Sequence, residues 1–353
     1  MTYDNKTLEP ILPILADDEK EHVIVPHDEC LFSANNQHRH LWLAGDQQPL
    51  RKKGNGHSVH VSDFILEPCG CLALNAEEIA MQEKLPAHLH LKTYDARKII
   101  YPGKNHDKWW DISQLQDQLR GAIDIFEFKL PNKTGVFVFD CSAAHESFAA
   151  DALNVNNMNV KPGDKQAHLH DTVIPLKNPA PQSGQPDTRG QPQSLIYPLN
   201  HPEYPGQPKG MRAVLQEWTS VWEKLCKEAS GEKKVIGMCK VCKMSEKKKD
   251  ALRHLALAEM AGQEDTVDDV LLQQLDETRD VEDSLNEWCC MTRVLALQDD
   301  FVSEKPLIQT YIESRSHMCL FLPKFHCEFN PIELLWGYAK YRASFIDCDT
   351  VVT

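Results

Sequence analysis

Three carboxylates sit at positions from which acids can be brought together to hold divalent metal. Asp28 follows the apolar run His22-Val-Ile-Val-Pro26, and Asp140 closes Gly135-Val-Phe-Val-Phe-Asp140. Glu333 lies in Asn330-Pro331-Ile332-Glu333, at the start of a late amphipathic segment. Strand ends and a helix start are rigid mounts. Hard oxygen ligands on such mounts suit Mg²⁺ or Mn²⁺, and two such ions can clamp the attacking and leaving oxygens of a phosphodiester. Each acid also has a plainer role. A strand-end Asp is often a turn or cap residue, and a charge ending an apolar strand such as that of Asp140 calls for a reason. Asn330, Pro331 and Glu333 fit an N-cap, a proline at the first helical position and a capping-box glutamate.

A second group of ligand-type residues is sulfur-based. Cys239-Lys-Val-Cys242 has the spacing of a zinc knuckle, and Cys289-Cys290 can supply the other two ligands of a structural Zn²⁺ site. The alternative for Trp288-Cys289 is simple helix packing. The pairs His88/His90 and His168/His170 lack a supporting third ligand and read as surface or strand histidines.

The elements that must carry these residues follow from periodicity. Short extended runs are expected at 22–26, 40–44 and 58–66, the last alternating Val59 and Val61 with His60 and Ser62. Ile112, Leu115, Leu119, Ala122, Ile123 and Phe126 make one stripe of an amphipathic helix over 111–129. The apolar run 135–139 predicts a central strand. Nine prolines between 175 and 210 mark a long connecting segment. A helical block is expected over 211–300, with Val214, Leu215, Trp218, Val221, Trp222 and Leu225 along one helix and Val281, Leu285, Trp288 and Cys289 along another. A short helix (306–313), a strand (317–322) and a final helix (331–341) close the pattern.

These segments predict an α/β fold interrupted by a large, mainly helical insertion. Residues 1–20 form a tail, and 21–174 the first part of the core. Residues 175–210 make the Pro/Gly/Gln-rich connection and 211–300 the insertion. Residues 301–345 return to the core, and 346–353 are a second tail.

Lys plus Arg number 38 against 52 Asp plus Glu, a net charge of −14, which argues against indiscriminate nucleic-acid binding by the whole surface. Local basic patches remain, with Arg51, Lys52, Lys53, Lys324 and Lys340 as candidate phosphate contacts. No run of about 18 apolar residues is present, so no membrane-spanning helix is expected. The twelve cysteines lack the dense pattern of a small secreted scaffold, and a reducing intracellular setting is expected.

Taken together, the acid-bearing segments resemble the mariner-like group of DDE-superfamily transposases. Leu322-Pro323, Asn330-Pro331-Ile332-Glu333, Trp336 and Lys340 resemble that family's last signature, His27-Asp28-Glu29 its first-acid motif, and Val138-Phe139-Asp140 with His145 its second. Glu328 falls on an acidic position that the family does not use as a ligand. Other segments, among them Tyr101-Pro-Gly-Lys-Asn105, resemble a fungal branch of transposase-derived proteins.

The resemblance implies a ribonuclease-H-like mixed sheet flanked by helices. Asp28, Asp140 and Glu333 would be catalytic acids holding two Mg²⁺ or Mn²⁺ ions, and the activity would be cleavage and strand transfer of double-stranded DNA at transposon ends in the nucleus. It also implies helix-turn-helix modules ahead of the core. The stretch before Asp28 is too short for one, so a separate DNA-binding partner, a homodimer, or a truncated or domesticated copy is expected. The alternative function is a catalytically silent transposase-derived nucleic-acid-binding or scaffold protein.

Overall fold

The computed structural model describes residues 19–34, 56–67, 69–103, 107–142, 144–163, 165–229, 235–244, 286–324 and 326–343, with Gly54 and short stretches near the N-terminus. The expected strand at 40–44, the basic residues Arg51, Lys52 and Lys53, and the helical positions Val281 and Leu285 lie outside the described residues. The chain divides into two compact units. Met1–Ser147 with Lys305–Thr353 form unit 1, and Phe148–Glu304 form unit 2. Unit 2 thus includes residues 148–174, which the sequence pattern assigns to the core.

Unit 1 is a mixed α/β unit built on a six-stranded sheet. Its strands are β1 (Glu21–Ser33), β2 (Ser58–Leu66), β3 (Gly70–Cys71), β4 (Lys98–Ile100), β5 (Lys133–Phe139) and β6 (Met318–Phe321). The order is β6-β5-β1-β2-β3, with β4 also pairing β2. β1 runs parallel to β5, from Glu21↔Lys133 to Pro26↔Val138, and β6 runs parallel to β5. β2 is antiparallel to β1, from His27↔Phe64 to Ser33↔Ser58. The expected short run at 22–26 is therefore only half of a 13-residue strand. Its first half pairs with β5 and its second with β2, and Asp28 falls just past the changeover.

Alternation along β1 sends successive side chains to opposite faces. Val23 and Val25 join Phe64, Phe137 and Phe139 in the main core. That face is covered by α2 (Ile112–Lys129), which follows the short α1 (Ala76–Glu83) in the chain and buries Leu115, Leu119, Ala122, Ile123 and Phe126, and by α7 (Leu307–Ser314), which adds Ile308 and Ile312. Each such apolar side chain contributes about 1.5–3 kcal/mol when fully buried. α2 starts at a reciprocal capping box: the Asp111 side chain accepts the Gln114 N–H, and the Gln114 side chain accepts the Asp111 N–H, both at 3.0 Å. On the opposite face Cys30, Phe32, Val61 and Ile65 pack against Ile332 and Trp336 of α8 (Ile332–Ala343). The N-terminal segment, expected as a tail, contains a two-residue antiparallel pairing of Thr2–Tyr3 with Pro10–Ile11.

Among its described residues unit 2 is largely turns and irregular chain over 148–210, with a two-residue antiparallel pairing of Thr172–Val173 and Pro192–Gln193, and its α-helices all follow Gly210. α3 (Met211–Glu217) and α4 (Thr219–Glu228) bury Val214, Leu215, Val221 and Leu225 against Met291, Val294 and Leu295 of α5 (Met291–Ala296), and the one-turn α6 (Asp299–Val302) adds Phe301. The apolar stripe predicts one helix here, but the chain breaks at Trp218, whose ψ of 71° is not helical. Its buried indole N–H donates to Gln193 Oε1 at 2.8 Å. Residues 286–290, expected at the end of a helix, form a turn leading into α5, so the helix-packing alternative for Trp288-Cys289 does not hold.

Candidate active site

The parallel register of β1 and β5 brings two of the three acids to one place. Pro26 pairs with Val138, and two residues further along each chain stand Asp28 and Asp140. Asp28 shares its sheet face with Cys30, the face that α8 covers. Asn330, itself buried, donates from Nδ2 to the carbonyl oxygen of His27 at 2.9 Å. That bond ties the start of α8 to β1 at the residue beside Asp28, and Glu333 lies in the first turn of the helix so anchored.

Three other acids bear on Asp28 electrostatically. Burial is the main cause that pushes its carboxyl up to about 7, opposed by a hydrogen bond from the Glu29 backbone. The negative charges of Glu333, Glu29 and Asp140 push it further the same way, with Glu333 the strongest of the three. The capping-box alternative for Glu333 is not formed. The Asn330 side chain is turned to the His27 carbonyl, and its Oδ1, which a cap would direct at the first-turn N–H groups, has no partner.

Behind the acids, on the α2 side, lies a polar network that sequence patterning does not reveal. His145 is fully buried; its Nδ1 lies 2.5 Å from Asp140 Oδ1, and its Nε2 lies 3.2 Å from Glu29 Oε1. Burial disfavours the imidazolium, but hydrogen bonds to Asp140 and Glu29, together with their charges, outweigh it and push His145 up to about 10. Glu29 also accepts from Trp110 Nε1 at 2.8 Å. Burial alone would raise Glu29, yet His145, His27 and Trp110 bring it down to about 2.

His27 is the neutral counterpart, lowered to about 4 chiefly by burial. Ser62 Oγ donates to Gln118 Oε1 at 2.8 Å, so it must accept from His27 Nε2, also at 2.8 Å. Gln118 in turn donates to the carbonyls of Ser62 and Ala96. These bonds fix His27 as the Nε2–H tautomer.

Among the described residues, two groups of side chains bring potential metal-ligating atoms within 4.8 Å of one another: His27, Glu29 and His145, and Cys239, Cys242, Cys289 and Cys290; Asp28, Asp140 and Glu333 do not form such a group. In the first group the ring nitrogens of His145 are engaged by Asp140 and Glu29, and Nε2 of His27 is engaged by Ser62, so the trio is tied into a buried hydrogen-bond network. The second group gathers all four cysteines singled out from their spacing.

A further acid, Asp63, is the register partner of Asp28 on β2 and is almost fully buried. Burial pushes it up to about 6, against the Phe64 N–H and the Arg97 guanidinium 3.7 Å away. Those partners commit it to the fold. Of the candidate cations, Lys340 lies beside the Cys30 thiol on the α8 face, and Lys324 pairs with Glu146 at 3.5 Å with both side chains solvent-accessible.

Compared with known proteins, the chain matches no family model, no curated protein and no solved structure. Among the described residues no helix is long and apolar enough to cross a membrane.

Proposed function

We propose that unit 1 is the catalytic core of a transposase-like DNA endonuclease in which Asp28, Asp140 and Glu333 hold divalent metal. The observation that carries this is that the buried Asp28 on β1 lies within the electrostatic reach of Glu333 on α8 and Asp140 past the end of β5, whose charges add to burial in raising it to about 7. The strand order supports the same reading. An antiparallel set of β1, β2 and β4, extended by parallel β5 and β6 on the other side of β1, is the arrangement expected of a ribonuclease-H-like core.

The donor set fits Mg²⁺ or Mn²⁺, because it consists of carboxylate oxygens whose mutual repulsion a hard cation relieves. Two such ions, when bound, supply Lewis-acid activation of water and neutralise charge on the phosphate. The chain's own residues prepare the site. His145 holds Asp140 in a fixed orientation through an ion pair braced by Glu29 and Trp110. Asn330 fixes the height of α8 on the sheet, and with it Glu333. Lys324 and Lys340 would be the phosphate contacts for double-stranded DNA in this reading. Transposon ends as substrate, nuclear action, and a second copy or a separate DNA-binding partner belong to the same reading.

The test is cleavage of labelled duplex carrying the element's own ends, with Mg²⁺ or Mn²⁺, beside Mn²⁺ binding followed by electron paramagnetic resonance. Wild type should bind Mn²⁺ and cut, and Asp140→Asn should lose both. Equal cutting by the variant would reject the assigned acids. Mn²⁺ binding without cutting on any duplex would favour the non-catalytic scaffold.

A further inference from the structure

We infer that unit 2 contains a structural Zn²⁺ site formed by Cys239, Cys242, Cys289 and Cys290. The sulfur geometry carries this. Cys239 Sγ lies 3.6 Å from Cys289 Sγ, Cys242 Sγ lies 3.7 Å from both Cys289 and Cys290, and Cys289 and Cys290 are 3.8 Å apart. A tetrahedron with Zn–S bonds of about 2.3 Å has edges of about 3.8 Å. These four separations match one ion at the centre.

The alternatives fit less well. A disulfide needs sulfurs about 2.05 Å apart, and all four of these cysteines are free. An iron–sulfur cluster places its own iron and sulfide between the thiolates and would spread them much further apart. A tetrahedral S₄ set around a single ion is the arrangement zinc favours.

The surrounding chain is organised as a metal knuckle. Cys239 precedes a 3₁₀ turn over Val241–Lys243 that contains Cys242, and the Cys242 N–H points at Cys239 Sγ, 3.4 Å away. A thiolate is a better acceptor for that N–H than a neutral thiol. The second pair is locked against the first by backbone bonds, Met291 N–H to Ile236 O at 3.1 Å and Thr292 N–H to Gly237 O at 2.9 Å. Cys239, Cys289 and Cys290 are buried, so the ion is shut away from water, as a closed structural site requires. With four protein ligands no coordination position remains for substrate. The site is a cross-link between the segment before residue 245 and the segment after residue 285, independent of the acids of unit 1.

The experiment uses the full chain purified without chelator. Elemental analysis should find close to one zinc per chain. Replacement by Co²⁺ should give the intense visible d–d bands of a tetrahedral thiolate site together with sulfur-to-cobalt charge transfer. Cys69→Ser, at an exposed cysteine outside the cluster, should leave both unchanged, and Cys242→Ser should weaken the cobalt bands or abolish them. If Cys242→Ser does not fold, the wild-type cobalt spectrum still decides. Zinc well below one per chain with no tetrahedral cobalt spectrum would overturn the assignment. So would two disulfides found by mass spectrometry of the native protein, or stoichiometric iron in place of zinc. Loss of DNA cleavage is not among the readouts, so failure here is separate from failure of the endonuclease proposal.

Discussion

Replacing Asp28 by Asn should make the metal-free protein more stable while removing its proposed activity. The Asp28 carboxyl is raised from its usual 3.8 to about 7 by burial and by three neighbouring acids. The folded state therefore binds this proton more tightly than the unfolded chain does. Stability falls as pH rises from 3.8, and the loss is complete above about 7, the reverse of a salt-bridged carboxylate. At about 1.4 kcal/mol per pH unit the full gap corresponds to about 4 kcal/mol. Part of it belongs jointly to Glu333, Glu29 and Asp140, so about 2–4 kcal/mol is expected for the single variant. The same linkage leaves only about 1 kcal/mol at pH 4.5.

Because the two units need not unfold together, the assay is denaturant-dependent amide hydrogen exchange read on β1 and β5, in chelator, at both pH values. Asp28→Asn should exceed wild type near pH 8, and the difference should shrink at pH 4.5. Saturating Mn²⁺ near pH 8 should close the gap by stabilising wild type alone. A variant less stable than wild type by the same amount at both pH values would refute the reasoning, because Asp28 would then be serving the fold through favourable hydrogen bonds.

Three other outcomes are expected. In ¹⁵N-detected NMR the His145 ring should stay doubly protonated until the pH approaches about 10, while His27 stays neutral down to about 4. The folded pKa of His145 is raised, so its stabilisation is complete below 6.5 and is lost as pH climbs through about 10. Asn330→Ala should cost about 1–3 kcal/mol in the exchange assay by stranding the buried His27 carbonyl, and should weaken Mn²⁺ binding as α8 loses its tether. Gly210→Ala should destabilise unit 2 by about 1–3 kcal/mol, read in the exchange of α3 and α5, since an added Cβ would stand 2.5 Å from the Lys161 carbonyl carbon.

Elements whose signal is local were legible in the sequence. The stripe from Ile112 to Phe126 gave α2, and the apolar run at 135–139 gave a strand that is central in the sheet. α7, β6 and α8 fall within a residue or two of their expected places. The misses share a cause, which is that partners distant in sequence decided them. β1 continues to Ser33 because β2 takes over its pairing where β5 stops, and nothing within residues 27–33 announces that partner. The stripe through Trp218 looks continuous, yet the backbone leaves the helical region there while the indole is held by the distant Gln193.

The same holds at the candidate site. The acids and the four cysteines stood out by type and spacing. The clasp of His145 on Glu29 and Asp140, and the chain from His27 through Ser62 to Gln118, join residues that only the folded sheet brings together. The capping motif at Asn330 marks a helix start, but its side chain is spent on a strand carbonyl instead of its own helix.

The pairing of β6 with β5 has a consequence for how the protein is made. β5 is complete once Phe139 has been synthesised, yet its outer neighbour begins only at Met318, after the whole of unit 2. At about 5–20 residues per second, translation leaves that edge of the sheet unpaired for on the order of 10–40 s. Glu333 arrives later still. A nascent chain therefore carries an open apolar strand edge, and a half-assembled acidic site, through the entire synthesis of unit 2. Its vulnerability to aggregation is greatest in that interval, and prompt compaction of unit 2 shortens the effective reach across which β6 must find β5.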